Sequence, residues 1–219
     1  MMPALATVIS WLCTPLTVGL YYSPMSTVEK VKHEGSTGGR PALPFVSMLV
    51  NCLLWGHYGF LLWNYTLLVT NGIGAGFALY YLSVFWKVVQ GQEKASMQKQ
   101  LAIAFGFLAC VLLFVTFISP DGRLHLGMIA SAVTVFMFAS PLSTMVTVIA
   151  TKSTDTLSFP LSFMTVVVTT LWTMYGFLLG DSFILLSNSL GLFLGAIQLS
   201  LFLVYPQKTL PVTSHPQSV

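Results

Sequence analysis

Charge is what this chain has least of. Nine Lys plus Arg and six Asp plus Glu make up 7% of its 219 residues, against about 25% in an ordinary soluble domain. So few charges cannot cover the surface of a water-soluble globule of this size, which excludes a cytosolic enzyme. A 55% hydrophobic content excludes a disordered chain. The net charge of +3 is too weak to imply nucleic acid or another acidic partner. Cysteine is scarce as well. Cys13, Cys52 and Cys110 are odd in number, widely spaced and inside apolar runs, so neither a disulfide framework nor a zinc pattern is present. Core or lipid-facing free thiols are the expectation. No basic segment precedes the first apolar run, so a cleaved signal peptide is not expected. An integral membrane protein remains.

Apolar sequence is what the chain has in place of charge. A helix needs about 20 mostly apolar residues to cross the hydrocarbon core. Seven runs qualify: Ala4–Tyr22, Pro44–Leu62, Thr66–Val88, Leu101–Ser119, Leu126–Ile149, Phe159–Leu179 and Phe183–Tyr205. They are too long and continuous for barrel strands. Cations are unevenly shared between the two sides. Lys30, Lys32, Arg40, Lys87, Lys94, Lys99, Lys152 and Lys208 fall on one side, and Arg123 stands alone on the other. This bias places the N-terminus outside and the C-terminus in the cytoplasm. The sequon Asn64-Tyr65-Thr66 then faces outward, but so close to the third run that glycosylation is not expected.

Shifted by 117 residues, the sequence matches itself. Ser23-Pro24-Met25-Ser26-Thr27 falls on Ser140-Pro141-Leu142-Ser143-Thr144, and Leu54-Trp55 on Leu171-Trp172. Tyr58-Gly59-Phe60-Leu61-Leu62 falls on Tyr175-Gly176-Phe177-Leu178-Leu179, Asn71 on Asn188, and Gly74 on Gly191. Leu on Leu means little in apolar helices; Trp, Pro, Asn and Tyr-Gly-Phe at one shared offset mean much more. The expected fold is an all-α membrane protein of seven spans. Two parallel three-helix repeats (1–90 and 123–206) are joined by a linker helix (91–122), a 3+1+3 order, and a polar tail follows (207–219). An odd intervening span gives both repeats one orientation. Parallel repeats place a substrate site at their interface near mid-membrane.

Depth singles out four residues. Trp55 lies seven residues before the outer end of its span, about 10 Å down at 1.5 Å per residue. Asn71 lies five residues into the next, about 8 Å down. Trp172 and Asn188 take matching depths in the second repeat. An indole face packs on the C–H face of a pyranose. An Asn amide offers a donor and an acceptor to neighbouring hydroxyls. No charge lies at this depth, which suits a neutral polyol. Taken singly, each Trp could be an interfacial anchor and each Asn a helix–helix contact; the duplication favours a shared site. His57 reads as an interfacial polar residue, and the glycines of Asn71-Gly-Ile-Gly-Ala-Gly as packing residues rather than a nucleotide loop. Ser140 and Thr144 are candidates for polar lining.

With these residues in place, the sequence resembles the SWEET sugar transporters, relatives of the PQ-loop transporters, from about Trp11 to Pro206. The resemblance implies that Asn71, Asn188 and Trp172 contact sugar; Trp55 joins them through the repeat, and Trp at both paired positions is expected to narrow the pocket to a glucose-like monosaccharide. It implies hinges around an inner gate at Pro24, Pro44, Pro141 and Pro160, although Pro160 is one position out of register with Pro44. Tyr58 and Asp181 take the place of an outer gate. No Asp, Glu, Lys, Arg or His is evident in the middle of any span, so uniport by alternating access, without ion coupling, is expected. No cofactor, metal or enzymatic constellation is expected. Sugar and membrane lipid are the expected partners, with homo-oligomerisation left open. The plasma membrane is the default location, with internal membranes (Golgi or vacuole-like) also open. A proton-coupled amino-acid or cystine transporter of the PQ-loop class is the alternative, but Pro-Gln occurs only at Pro206-Gln207 and Pro216-Gln217. A seven-helix receptor would not explain the duplication.

Overall fold

The computed structural model describes residues 2–205, so the tail at 207–219 lies outside the described residues. Each apolar run folds as helix because hydrocarbon leaves backbone N–H and C=O groups no partner but one another. The first repeat comprises α1 (Met2–Tyr22), α2 (Met25–Glu34), α3 (Leu43–Leu61) and α4 (Tyr65–Val88). The linker α5 (Gly91–Leu113) ends in a π-helical turn, Phe114–Ile118. The second repeat comprises α6 (Gly122–Met137), α7 (Ala139–Thr151), α8 (Phe159–Leu179) and α9 (Ser182–Val204).

The seven spans are therefore α1 with α2, α3, α4, α5 with its π-turn, α6 with α7, α8 and α9. Six of them are long and apolar enough to cross a membrane. The seventh, α3, is a 19-residue helix carrying Asn51, His57 and Tyr58, and it is a wall of the central cavity. The first span runs past Tyr22. Pro24 has no N–H to continue the ladder, so α1 stops and α2 restarts from it, with Val28 N–H donating to the Pro24 carbonyl at 3.0 Å. The fifth span breaks at Phe138, three residues before Pro141, and restarts as α7. Helix starts are capped where the chain turns at the outer face. Asn64, Asp121 and Asp181 each accept from backbone N–H groups in the first turn of α4, α6 and α9.

Packing follows the duplication. Within each repeat the third span sits in the middle: α4 touches α1 and α3, and α9 touches α6 and α8. Between repeats, α1 packs on α8 and α3 packs on α6. These are the same contact read in both directions, as a two-fold relation requires. α5 packs on α3 of the first repeat. Close approach explains some glycines and not others. A Cβ on Gly74 would fall 2.5 Å from the Tyr21 ring and 2.7 Å from Cys52 Sγ, and one on Gly191 would fall 3.1 Å from Phe138 and Thr169. Gly72 and Gly76 have nothing within 4 Å, so of the glycine run after Asn71 only Gly74 is needed for packing. Cys13 and Cys52 are buried and Cys110 is exposed, all as free thiols.

Candidate functional site

One cavity of about 140 Å3 lies between the repeats. Trp55, Asn71, Trp172 and Asn188 all line it. On the helices as built, Trp55 is six residues from the end of α3 and Asn71 six from the start of α4, so both lie about 9 Å below the outer face. The shared depth read from the repeat is therefore a shared chamber.

The hydrogen bonds obey the 117-residue offset. Trp55 Nε1 donates to Thr134 Oγ1 at 2.9 Å, and Trp172 Nε1 donates to Thr17 Oγ1 at 2.9 Å. Thr134 lies 117 positions after Thr17. Each repeat thus orients the other's indole. With its N–H satisfied, each indole contributes apolar ring atoms to the cavity lining. Asn71 Nδ2 donates to the Leu67 carbonyl at 2.9 Å and Asn188 Nδ2 to the Ile184 carbonyl at 2.8 Å. One amide hydrogen goes to the helix. The amide oxygen and the second hydrogen stay available to a ligand. Thr14 bonds Thr70 at 2.7 Å, and the matching Ser131 bonds Ser187 at 3.1 Å, with Thr70 and Ser187 themselves lining the cavity.

Tyr21 lines the cavity without its counterpart Phe138, and among the paired lining positions one differs sharply in polarity. Asn51 of the first repeat corresponds to Val168 of the second, and both line the cavity. Asn51 Oδ1 lies 2.8 Å from Thr134 Oγ1, so one indole is held through a chain of three polar groups. The other is held through Thr17, whose hydroxyl donates to the Cys13 carbonyl at 2.6 Å.

Above the cavity, Tyr58 Oη donates to Asp181 Oδ2 at 2.8 Å, and Tyr175 Oη donates to Asn64 Oδ1 at 3.1 Å. Both acceptors are helix N-caps, and both bonds join one repeat to the other. The two tyrosines are buried, so the outer end is shut. Toward the cytoplasm, Pro24 and Pro141 lie at the breaks in the first and fifth spans. Pro44 and Pro160 each occupy the second position of their helices, α3 and α8. Their register differs by one because α8 begins one residue early relative to α3, so the two prolines sit alike in the fold.

Other candidates lie elsewhere. Ser140 is exposed and its carbonyl accepts from Thr144 at 3.1 Å within α7, and neither residue lines the cavity. His57 stacks on Phe60 at 6.1 Å, away from the chamber. Thr17, Thr134 and Asn51 went unread in sequence, where Asn64 stood only as a sequon and Tyr175 only as part of the repeat. For the threonines, and for Asn64 with Asp181, the signal was available at the same offset. Threonine is common enough in membrane helices that the match carried little weight without the indoles beside it.

A family model described as "Sugar efflux transporter for intercellular exchange" matches the chain twice, over residues 7–93 and 124–210. Those two matches are themselves 117 residues apart. The chain belongs to the SWEET family. A SWEET protein of Dictyostelium discoideum, sugar transporter SWEET1, is 33% identical over 94% of this chain and 96% of its own length. The bidirectional sugar transporter SWEET15 of Oryza sativa subsp. japonica is 35% identical over 93% of this chain and 65% of its own. Among solved structures, a eukaryotic SWEET transporter superposes with a TM-score of 0.84 at 30% identity, covering 90% of this chain and 95% of that one. The SWEET fold and the 3+1+3 order thus agree with the internal repeat.

Proposed function

We infer that this chain is a facilitative sugar uniporter that moves a glucose-like monosaccharide by alternating access. The observation that carries the reading is the single chamber lined by two indoles and two asparagines, paired across the repeats. Two apolar ring faces and two half-free amides complement a pyranose, which is apolar on its faces and hydroxylated at its rim. Among the described residues no Asp, Glu, Lys, Arg or His lines the cavity. Nothing there favours a charged substrate or provides a proton relay. This weighs against the proton-coupled amino-acid alternative, as does Pro-Gln placed only in the tail.

In this reading the working units are 1–90, 91–122 and 123–206, with a cytoplasmic tail at 207–219. Trp55, Trp172, Asn71 and Asn188 bind the sugar. The two Tyr-to-cap bonds close the outer gate, and rocking of the repeats about Pro24, Pro44, Pro141 and Pro160 opens the inner one. The plasma membrane is the assigned site of action, in contact with lipid and open to self-association. The test is a radiolabelled sugar-uptake panel in transporter-deficient cells, with Asn71→Ala and Asn188→Ala beside the parent. Normal glucose flux through both surface-expressed variants would remove the proposed site. Cystine or lysine uptake in place of glucose uptake would move the chain to the alternative.

A further inference from the structure

The repeats are alike at the chamber and unlike at their cytoplasmic hinges. Pro24 and Pro141 have no N–H to give, so each frees the carbonyl four residues earlier, at Leu20 and Met137. In the first repeat that carbonyl is taken. Ser23 donates to it from its N–H at 3.2 Å and from its hydroxyl at 2.8 Å. The next carbonyl, that of Tyr21, accepts from Tyr81 Oη at 2.8 Å. This bond ties α4 to the hinge itself. In the second repeat Gln198 stands in place of Tyr81. The Phe138 carbonyl, the counterpart of Tyr21's, accepts the Leu142 N–H at 3.1 Å from within its own span. Among the described residues no side chain from α8 or α9 holds it.

Below each hinge a short helix continues toward the cytoplasm, α2 or α7. The first is tied at two further points. Tyr80 Oη of α4 donates to the Glu29 carboxylate of α2. Thr37, just after α2, donates to Glu93 at the start of α5 at 3.1 Å. Both ties are lost by substitution in the second repeat. Tyr80 and Glu29 fall on Ile197 and Val146, and Glu93 falls on Leu210, which has no acceptor in its side chain. The threonines of α7 bond carbonyls of α7, and among the described residues no hydrogen bond joins it to α8 or α9.

Packing adds to the difference. Tyr81 is fully buried with its ring 5.1 Å from that of Phe45, and Met97 of the linker belongs to the same core. Met145 and Val148 of α7 pack with Leu194 and Leu201 of α9 in a separate, smaller core. A hinge that must break buried hydrogen bonds to bend is stiffer than one that need not.

We propose that the inner end opens and closes by bending of the second repeat alone, α7 swinging about Phe138–Pro141, while the first repeat and the linker form the fixed half, held by Tyr81. This deepens the alternating-access reading by assigning its motion to one repeat. It rests on that reading for the gate and not for the identity of the solute.

The test uses the full chain in nanodiscs, with the exposed Cys110 replaced. Spin labels are placed at Lys30 and Lys87 in the first repeat, or at Thr147 and Val204 in the second. All four positions are exposed, and the two pairs are equivalent at the 117-residue offset. One narrow distance is expected for the first pair and two populations for the second. Tyr81→Phe combined with Tyr80→Phe keeps both rings and removes both hydroxyls. It should raise the bent share of the first pair at least about five-fold, the worth of the buried bond alone. An unchanged distribution for the second pair in that variant serves as the folding control. If the cargo is not glucose, glucose shifts neither pair, but the difference between the pairs remains and supports the proposal. Equal spread in both pairs, a single narrow distance in the second, or a first pair indifferent to the double variant overturns it.

Discussion

Removing the Tyr58 hydroxyl should open the outer gate far more readily than removing its counterpart at Tyr175. The two bonds occupy equivalent places, but their acceptors differ. Tyr58 donates to the Asp181 carboxylate at 2.8 Å, and Tyr175 donates to the neutral Asn64 amide oxygen at 3.1 Å. A hydrogen bond to a charged group contributes about 1.5–3 kcal/mol, and a neutral one about 0.5–1.5 kcal/mol. Both exist only while the outer ends of α3 and α8 are close to the opposing caps, so each loss acts on the closed state. At one decade per 1.4 kcal/mol, Tyr58→Phe should raise the ratio of outward-open to closed protein roughly 10- to 100-fold, and Tyr175→Phe roughly 2- to 10-fold. Phenylalanine keeps the ring and its edge contact with the neighbouring tryptophan, 5.6 Å between centroids in both repeats. The readout is the distance distribution between spin labels at Phe60 and Phe177. These residues are equivalent in the two repeats and exposed at 49% and 66%. Cys13, Cys52 and Cys110 would be replaced beforehand. A larger shift from Tyr175→Phe, or no shift from Tyr58→Phe, would refute the charge-based ranking.

Other expectations follow from the same geometry. Asn71→Ala and Asn188→Ala should each cut glucose uptake at least about ten-fold at matched surface expression, the worth of one or two lost hydrogen bonds to substrate. Thr134→Val and Thr17→Val should each weaken sugar binding by roughly five-fold through a misoriented indole, with tryptophan fluorescence reporting the lost N–H bond; unchanged affinity in both would show that the rings are held by packing alone. Glucose uptake should be insensitive to a protonophore, because no acidic or basic side chain lines the chamber among the described residues; collapse of uptake would require a coupled proton. Gly74→Ala should destabilise the fold by about 1–3 kcal/mol and lower the melting temperature, because its Cβ would overlap the Tyr21 ring. Gly72→Ala, with open space around it, should leave the melting temperature unchanged.

The elements legible from sequence were those whose cause is one-dimensional. Hydrocarbon thickness sets span length, and Phe159–Leu179 was read with the bounds it has in the fold. The repeat made the site legible: without the offset, Trp55 is one aromatic among many. Relations between spans were not legible. No periodicity shows that α3 meets α6 or that α1 meets α8, so Thr17 and Thr134 could not be joined to their indoles. Nor could Asn64 be seen as an acceptor for Tyr175, because the sequon drew attention to its surface chemistry instead. The continuation past Pro141 lay inside the apolar run Leu126–Ile149, but the one past Pro24 was hidden. The polar segment Met25–Glu34 has no apolar run to announce it, yet it forms helix because Val28 and Val31 pack under the first repeat.

The reciprocal contacts of α1 with α8 and of α3 with α6 imply an axis along the membrane normal. A half-turn about that axis exchanges Trp55 with Trp172 and Asn71 with Asn188. A sugar has no such symmetry, so a sugar bound as proposed would meet the same four side chains in two poses that keep the same end toward the outside. If the poses were equal, degeneracy alone would double the association constant, worth about 0.4 kcal/mol. Asn51 against Val168 is one lining difference that would make the poses unequal, and Tyr21, whose counterpart Phe138 does not line the cavity, is another. One substitution, Asn51→Val, would therefore bring the two proposed poses closer to equal while leaving the Trp and Asn pairs themselves in place.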